Sequence, residues 1–179
     1  RAILGDFEVR FERLVSLAQA RGLDESQGAE GRLRDRVHAV EDVIRGARDD
    51  RLLVEMLTAR RGEKDFIMRG EEKYLQRARA AVERIVAGVA TSPRLGPDER
   101  SEIRARILEY RAELERFAQL YRALESETDA MRVLDERLAA ASTDLVAEAN
   151  AEAERLEHLG RLVLVVTSLL GVALSAALA

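Results

Sequence analysis

The 179 residues contain no cysteine, no tryptophan, two prolines and two histidines, and aromatic residues make up 4% of the chain. Without cysteine there is no disulfide framework, no thiol nucleophile and no cysteine-bound zinc. His38 and His158 lie far apart, so no H-E-x-x-H type of metal motif exists. G-x-S-x-G, P-loop and dinucleotide-binding glycine patterns are also missing. No catalytic residue, metal site or cofactor is expected, and the chain is not expected to be an enzyme. An excess of one charge is missing too. Lys and Arg number 29 against 33 Asp and Glu, a formal net charge of −4. No strongly basic face follows from that balance, so nucleic acid is not an expected partner.

Charged residues are abundant, at 35% against the roughly 25% of ordinary globular chains. Ala, Leu, Arg and Glu dominate. These are strong helix formers, and few β-branched or aromatic residues oppose them. An all-α fold is expected, in the form of an elongated up-and-down helical bundle.

Apolar spacing divides the chain into four predicted helices. The first runs from about Ala2 to Arg21, with Leu4, Phe7, Phe11, Leu14 and Leu17 on one face. Gly22 to Gly31 holds three glycines among polar residues and reads as a break. The second predicted helix runs from near Glu30 to about Met68, with weak points at Gly46 and Asp49-Asp50. Arg69-Gly70 reads as a tight turn, and a third helix follows from Glu71 to Ala90. Thr91 to Pro97 interrupts again. Pro97 followed by Asp98 and Glu99 is a helix start, with a proline in the first turn and acids at the positive end of the dipole.

The fourth predicted helix meets no proline or glycine from Asp98 until Gly160. At 1.5 Å per residue that is about 93 Å, more than a compact domain of this size can contain. A seven-residue stripe runs down it through Tyr110, Phe117, Leu124, Met131, Leu138, Leu145 and Leu159. A partner stripe starts at Leu114 and Tyr121 and weakens at Thr128, Asp135 and Ser142. Sustained heptads specify long, nearly parallel neighbours, and a homodimer is inferred from them.

From Leu162 to Ala179 the sequence carries no charge, and Arg161 precedes it. About 18 apolar residues are the lower limit for a membrane-crossing helix, and an arginine suits its edge. The expected layout is therefore a helical domain over residues 1–160, and over 161–179 the start of a transmembrane helix into which the long C-terminal helix runs. The chain begins without Met at Arg1, directly in helical periodicity, and is read as a piece of a longer protein.

One polar constellation stands out. On the second predicted helix, Leu53, Met56, Leu57, Arg60, Lys64 and Ile67 fall on one face. Two cations then continue an apolar stripe, which is costly unless they are paired or bind a ligand. Two readings stay open: a salt-bridge layer with acids of the fourth helix, or a pocket for a carboxylate. His38 borders the apolar stripe and reads as a packed or half-exposed side chain.

Gly22-Leu23-Asp24-Glu25-Ser26-Gln27-Gly28-Ala29-Glu30-Gly31-Arg32-Leu33-Arg34 with Val37-His38-Ala39-Val40-Glu41, and the segment from Met56 to Tyr74 containing Arg60-Arg61-Gly62-Glu63-Lys64-Asp65-Phe66-Ile67-Met68-Arg69, resemble the all-helical periplasmic sensor domains of bacterial methyl-accepting chemotaxis proteins. The likeness is to their helical bimodular or four-helix-bundle kind, whose second segment commonly reads R-R-x-E-K-D-F with His often at x. Gly62 stands there in this chain. The resemblance implies a receptor in the bacterial inner membrane, with residues 1–160 periplasmic and a span on either side. It also implies a cytoplasmic signalling region that receives a small helix shift. It implies a homodimer that binds a small anionic metabolite or an amino acid between helices, and it carries over Arg60, Arg61 and Lys64 as ligand-binding residues. A full bimodular sensor is longer than this chain, which leaves either missing early helices or a shorter single bundle. Related sensors sit on membrane histidine kinases and cyclases. A membrane-anchored coiled-coil scaffold that binds a protein partner is the structural alternative.

Overall fold

In the computed structural model the backbone is described for residues 2–178, and side chains for residues 4–168. Five helices account for nearly all of it: α1 (Ala2–Arg21), α2 (Gly28–Gly46), α3 (Asp50–Arg69), α4 (Glu72–Thr91) and α5 (Pro97–Leu178), with no strand among the described residues. The all-helical class and the very long C-terminal helix thus match expectation. At 82 residues, α5 extends about 120 Å.

The predicted second helix is two helices. Its run breaks at Ala47 to Asp49, where Arg48 adopts a φ of 53°. Asp49 starts α3 by accepting from the backbone N–H groups of Arg51 and Leu52, the capping role that short acidic side chains perform. The Ser92 hydroxyl bonds the other Asp49 oxygen at 2.6 Å, which ties this reversal to the end of α4. At the opposite end, Gly70 closes α3 in the left-handed region, with φ 71°.

Ion pairs give the direction of each helix. Arg32 meets Glu113 and Arg36 meets Glu109, so α2 runs antiparallel to α5. Arg79 meets Glu115 and Arg111 meets Glu83, so α4 does the same. Arg84 to Glu55 and Arg77 to Asp65 set α3 antiparallel to α4. The result is an up-and-down four-helix bundle of α2, α3, α4 and the first part of α5. Its core is built from residues such as Leu33, Ile44, Met56, Phe66, Ile85 and Tyr110, all fully buried. Arg10 and Arg13 of α1 both reach Glu127, so α1 lies beside α5 further along, as a two-helix stem that continues past the bundle.

The helix phases correct two sequence readings. The buried face of α3 is Leu52, Met56, Ala59, Gly62, Glu63 and Phe66. Of the predicted stripe, Met56 belongs to that face, while Leu53, Leu57, Arg60, Lys64 and Ile67 lie round the helix from it, on the rim. On α5, Glu127 and Leu134 are buried where the strict heptad names Thr128 and Asp135, which are exposed. Past the bundle the neighbour of α5 changes to α1, whose Arg10 and Arg13 reach Glu127, and that partner sets which face is covered.

No helix among the described residues is long and apolar enough to cross a membrane. The predicted span over 161–179 lies largely outside the described side chains, which end at residue 168.

Candidate functional site

α2, α3 and the connection before α2 enclose a cavity of about 230 Å³. Its lining carries three acids, Glu25, Glu30 and Glu63, and three bases, Arg34, Arg60 and Lys64, with Val37, Ile67 and Met68 as the apolar wall. Five of these residues come from one stretch of α3, at positions 60, 63, 64, 67 and 68. Positions 60, 63, 64 and 67 fall on one side of a helix, and α3 turns that side toward α2.

Of the predicted ligand-binding residues, Arg60 and Lys64 are brought to the cavity and Arg61 is not. Arg61 is exposed and faces a surface depression with Leu57, Thr58 and Arg77.

Arg60 has a counter-ion, and it is not the expected one. Its guanidinium donates to Glu41 of α2 at 2.7 Å, and Glu41 is only 2% exposed. Arg45 donates to the other Glu41 oxygen at 2.6 Å, and His38 Nδ1 lies 3.8 Å from the oxygen that Arg60 holds. The salt-bridge layer therefore exists, but it joins α3 to α2 and not to the fourth predicted helix. The α2–α3 reversal puts Glu41 opposite Arg60, a pairing hidden while both were read on one continuous helix. His38 is half-exposed, in line with its sequence reading.

The residue that the sequence reading passed over is Glu63. It is 5% exposed, and burial pushes its carboxyl pKa from 4.5 up to about 7, against the opposing pull of Tyr110, Arg60 and Lys64. Glu30 adds a smaller push in the same direction as burial. Tyr110 of α5 faces it, and burial followed by the Glu63 charge drives the phenol pKa well above 10. The two do not meet in good hydrogen-bond geometry: Glu63 Oε2 and the Tyr110 hydroxyl are both buried without a partner. A buried acceptor without a donor is rare and costs about 1–3 kcal/mol. Lys64 is exposed at the cavity mouth, with no ion pair among the described residues.

Gly62 has a packing reason. A Cβ there would lie 2.8 Å from the Ala78 nitrogen and 2.9 Å from the Tyr74 carbonyl oxygen. The glycine lets α3 and α4 approach backbone to backbone, and it leaves no room for the histidine of the resembled motif. Gly62 and Glu63 look like surface residues in a composition count. Their signal is spacing: Met56, Ala59, Gly62-Glu63 and Phe66 repeat at three to four positions.

No protein-family model matches this chain, and no curated protein or solved structure matches it either.

Proposed function

We propose that this chain is the ligand-sensing extracytoplasmic part of a transmembrane chemoreceptor. Residues 1–160 lie in the periplasm, and the apolar run from Leu162 crosses the bacterial inner membrane. A small polar molecule binds between α2 and α3 as part of a homodimer, and the response travels along α5 as a small axial or rotational shift. One observation carries this reading: the buried acid at the cavity, Glu63, faces Tyr110 of α5, the helix that leaves the bundle and runs on for the rest of the chain. Occupancy of the cavity thereby acts on the outgoing helix where Glu63 faces Tyr110, and through α2, which pairs with α5 at Glu109 and Glu113. The likeness at residues 22–41 and 56–74 and the uncharged run from Leu162 support the membrane setting.

The test is a melting-temperature screen of organic acids and amino acids on the whole chain in detergent. The expected result is a ligand that raises the melting temperature and binds tenfold to a hundredfold more weakly to Lys64→Gln, about 1.5–3 kcal/mol for one charge-assisted contact. Lys64 is the informative position because Arg60 also neutralises Glu41, so its removal damages the fold directly. A ligand whose affinity is indifferent to Lys64→Gln places the site elsewhere, and a screen without a ligand removes the sensor reading.

A further inference from the structure

Two unsatisfied groups share the α2–α3 cavity. Glu63 Oε2 is an acceptor with no donor. The nearby guanidinium of Arg60 is committed to Glu41 at 2.7 Å, and the Tyr110 hydroxyl does not reach the carboxylate in bonding geometry. Lys64 is a cation with no acid bonded to it among the described residues. Arg34 is already paired with Glu25 at 2.6 Å. The lining therefore lacks one donor at its buried end and one anion at its exposed end. Once Glu63 is ionised, its three acids and three bases balance, so the lining then has no net charge to attract a simple anion.

We infer that the cavity takes a zwitterion, a short amino acid whose ammonium donates to Glu63 and whose carboxylate pairs with Lys64. This rests on the sensor reading and narrows its ligand class. The size agrees: about 230 Å³ leaves room for a small organic molecule and not merely for a single water. Val37, Ile67 and Met68 would flank its short aliphatic chain.

The arrangement makes binding sensitive to pH. The groups that face Glu63 are Arg60 and Lys64 from α3, Glu30 from α2 and Tyr110 from α5, and Arg34 and Glu25 share the same cavity wall. Burial keeps the Glu63 carboxyl protonated up to about pH 7. A protonated carboxyl is a poor partner for an ammonium, so the amino acid must displace that proton, and affinity rises as the pH passes upward through about 7. A binding site that used only Lys64 would show no such rise.

Calorimetric titration of the whole chain with matched sets of probes tests this. One set is norvaline, valerate and butylamine. The other is γ-aminobutyrate, butyrate and propylamine. At least one zwitterion is expected to bind tenfold or more tightly than both of its singly charged partners. Its affinity should rise several-fold from about pH 6 to about pH 8, with proton release. In Glu63→Gln, both the advantage over the carboxylate and the rise with pH should disappear, and Lys64→Gln should remove the advantage over the amine. Thermal unfolding of both variants checks that they fold, and the comparison within each set on the unaltered chain needs no variant. If valerate or butyrate binds as tightly as its amino acid and is weakened by Lys64→Gln, the Glu63 subsite is wrong and the sensor cavity stands. If no probe binds, this inference is overturned, while the broader screen above still decides the sensor reading.

Discussion

A carboxyl group that holds its proton to about pH 7 in the fold, against 4.5 as a free side chain, couples stability to acidity. Between those values the folded chain keeps a proton that the unfolded chain has lost, so stability falls as pH rises through this window. The contribution of Glu63 is fully present below about pH 4.5 and gone above about pH 7. The difference between the two pKa values corresponds to about 3 kcal/mol. Urea unfolding at a series of pH values should show that decline in the unaltered chain. Glu63→Gln, neutral at every pH, should flatten this part of the profile and be the more stable of the two near pH 8. An identical profile for both chains would mean that Glu63 is solvated or ion-paired in solution. The Arg60–Glu41 pair acts differently. It neutralises a buried carboxylate, so it reads as a structural bridge whose removal leaves a charge stranded.

At the scale of helices, the tightest approach is between α3 and α4 at Gly62. Alanine there gains up to about 1 kcal/mol of helix propensity, but its Cβ meets backbone atoms at 2.8 and 2.9 Å. Backbone cannot swing aside as a side chain can, and overpacking of this kind costs about 1–3 kcal/mol, so the clash wins. Gly62→Ala should lower the melting temperature, whereas Gly46→Ala, where nothing lies within 4 Å of the new Cβ, should leave it unchanged or raise it slightly. Thermal unfolding followed by circular dichroism decides between them. The same helices show how far the sequence could be read. The ends at Arg21, Thr91 and Pro97 were legible because glycine, proline and an acidic first turn mark them. The reversal at Ala47 to Asp49 was legible only as weak points at Gly46 and Asp49-Asp50, because a non-glycine residue, Arg48, takes the positive φ and strong helix formers flank it. Missing that reversal also hid the Arg60–Glu41 pair. The phase of α3 slipped because Leu53 and Leu57 are as apolar as the buried Leu52, so the stripe kept Met56 but took its other leucines from the rim. Which leucine faces inward is settled by contact with α4 and α5, and single-sequence spacing does not carry that information.

At the scale of the molecule, the stem has too few partners for its apolar surface. Beyond Leu138, no described side chain of α5 is buried, and Leu145, Val146, Leu156 and Leu159 stand 57–66% exposed. On α1, Leu4 and Phe11 are likewise open. Covering each such side chain contributes about 1.5–3 kcal/mol, so a second copy along the stem is favoured. Sedimentation of the chain ending at Leu159 should show association that grows with concentration. Leu145→Glu combined with Leu156→Glu should shift it to monomer without altering the melting of the bundle. A monomer at every concentration would count against the homodimer. The stem also joins two unlike legs. One, α1 followed by α2, carries a joint at Gly22 to Gln27, where Asp24 holds Ser26 and Gln27 by side-chain hydrogen bonds. The other, α5, has none. Any change of length or angle between bundle and stem must therefore be taken up on the jointed leg, while the unbroken one carries it whole. The molecule is built like a pair of dividers, in which the hinge on one side decides what the straight arm on the other can report.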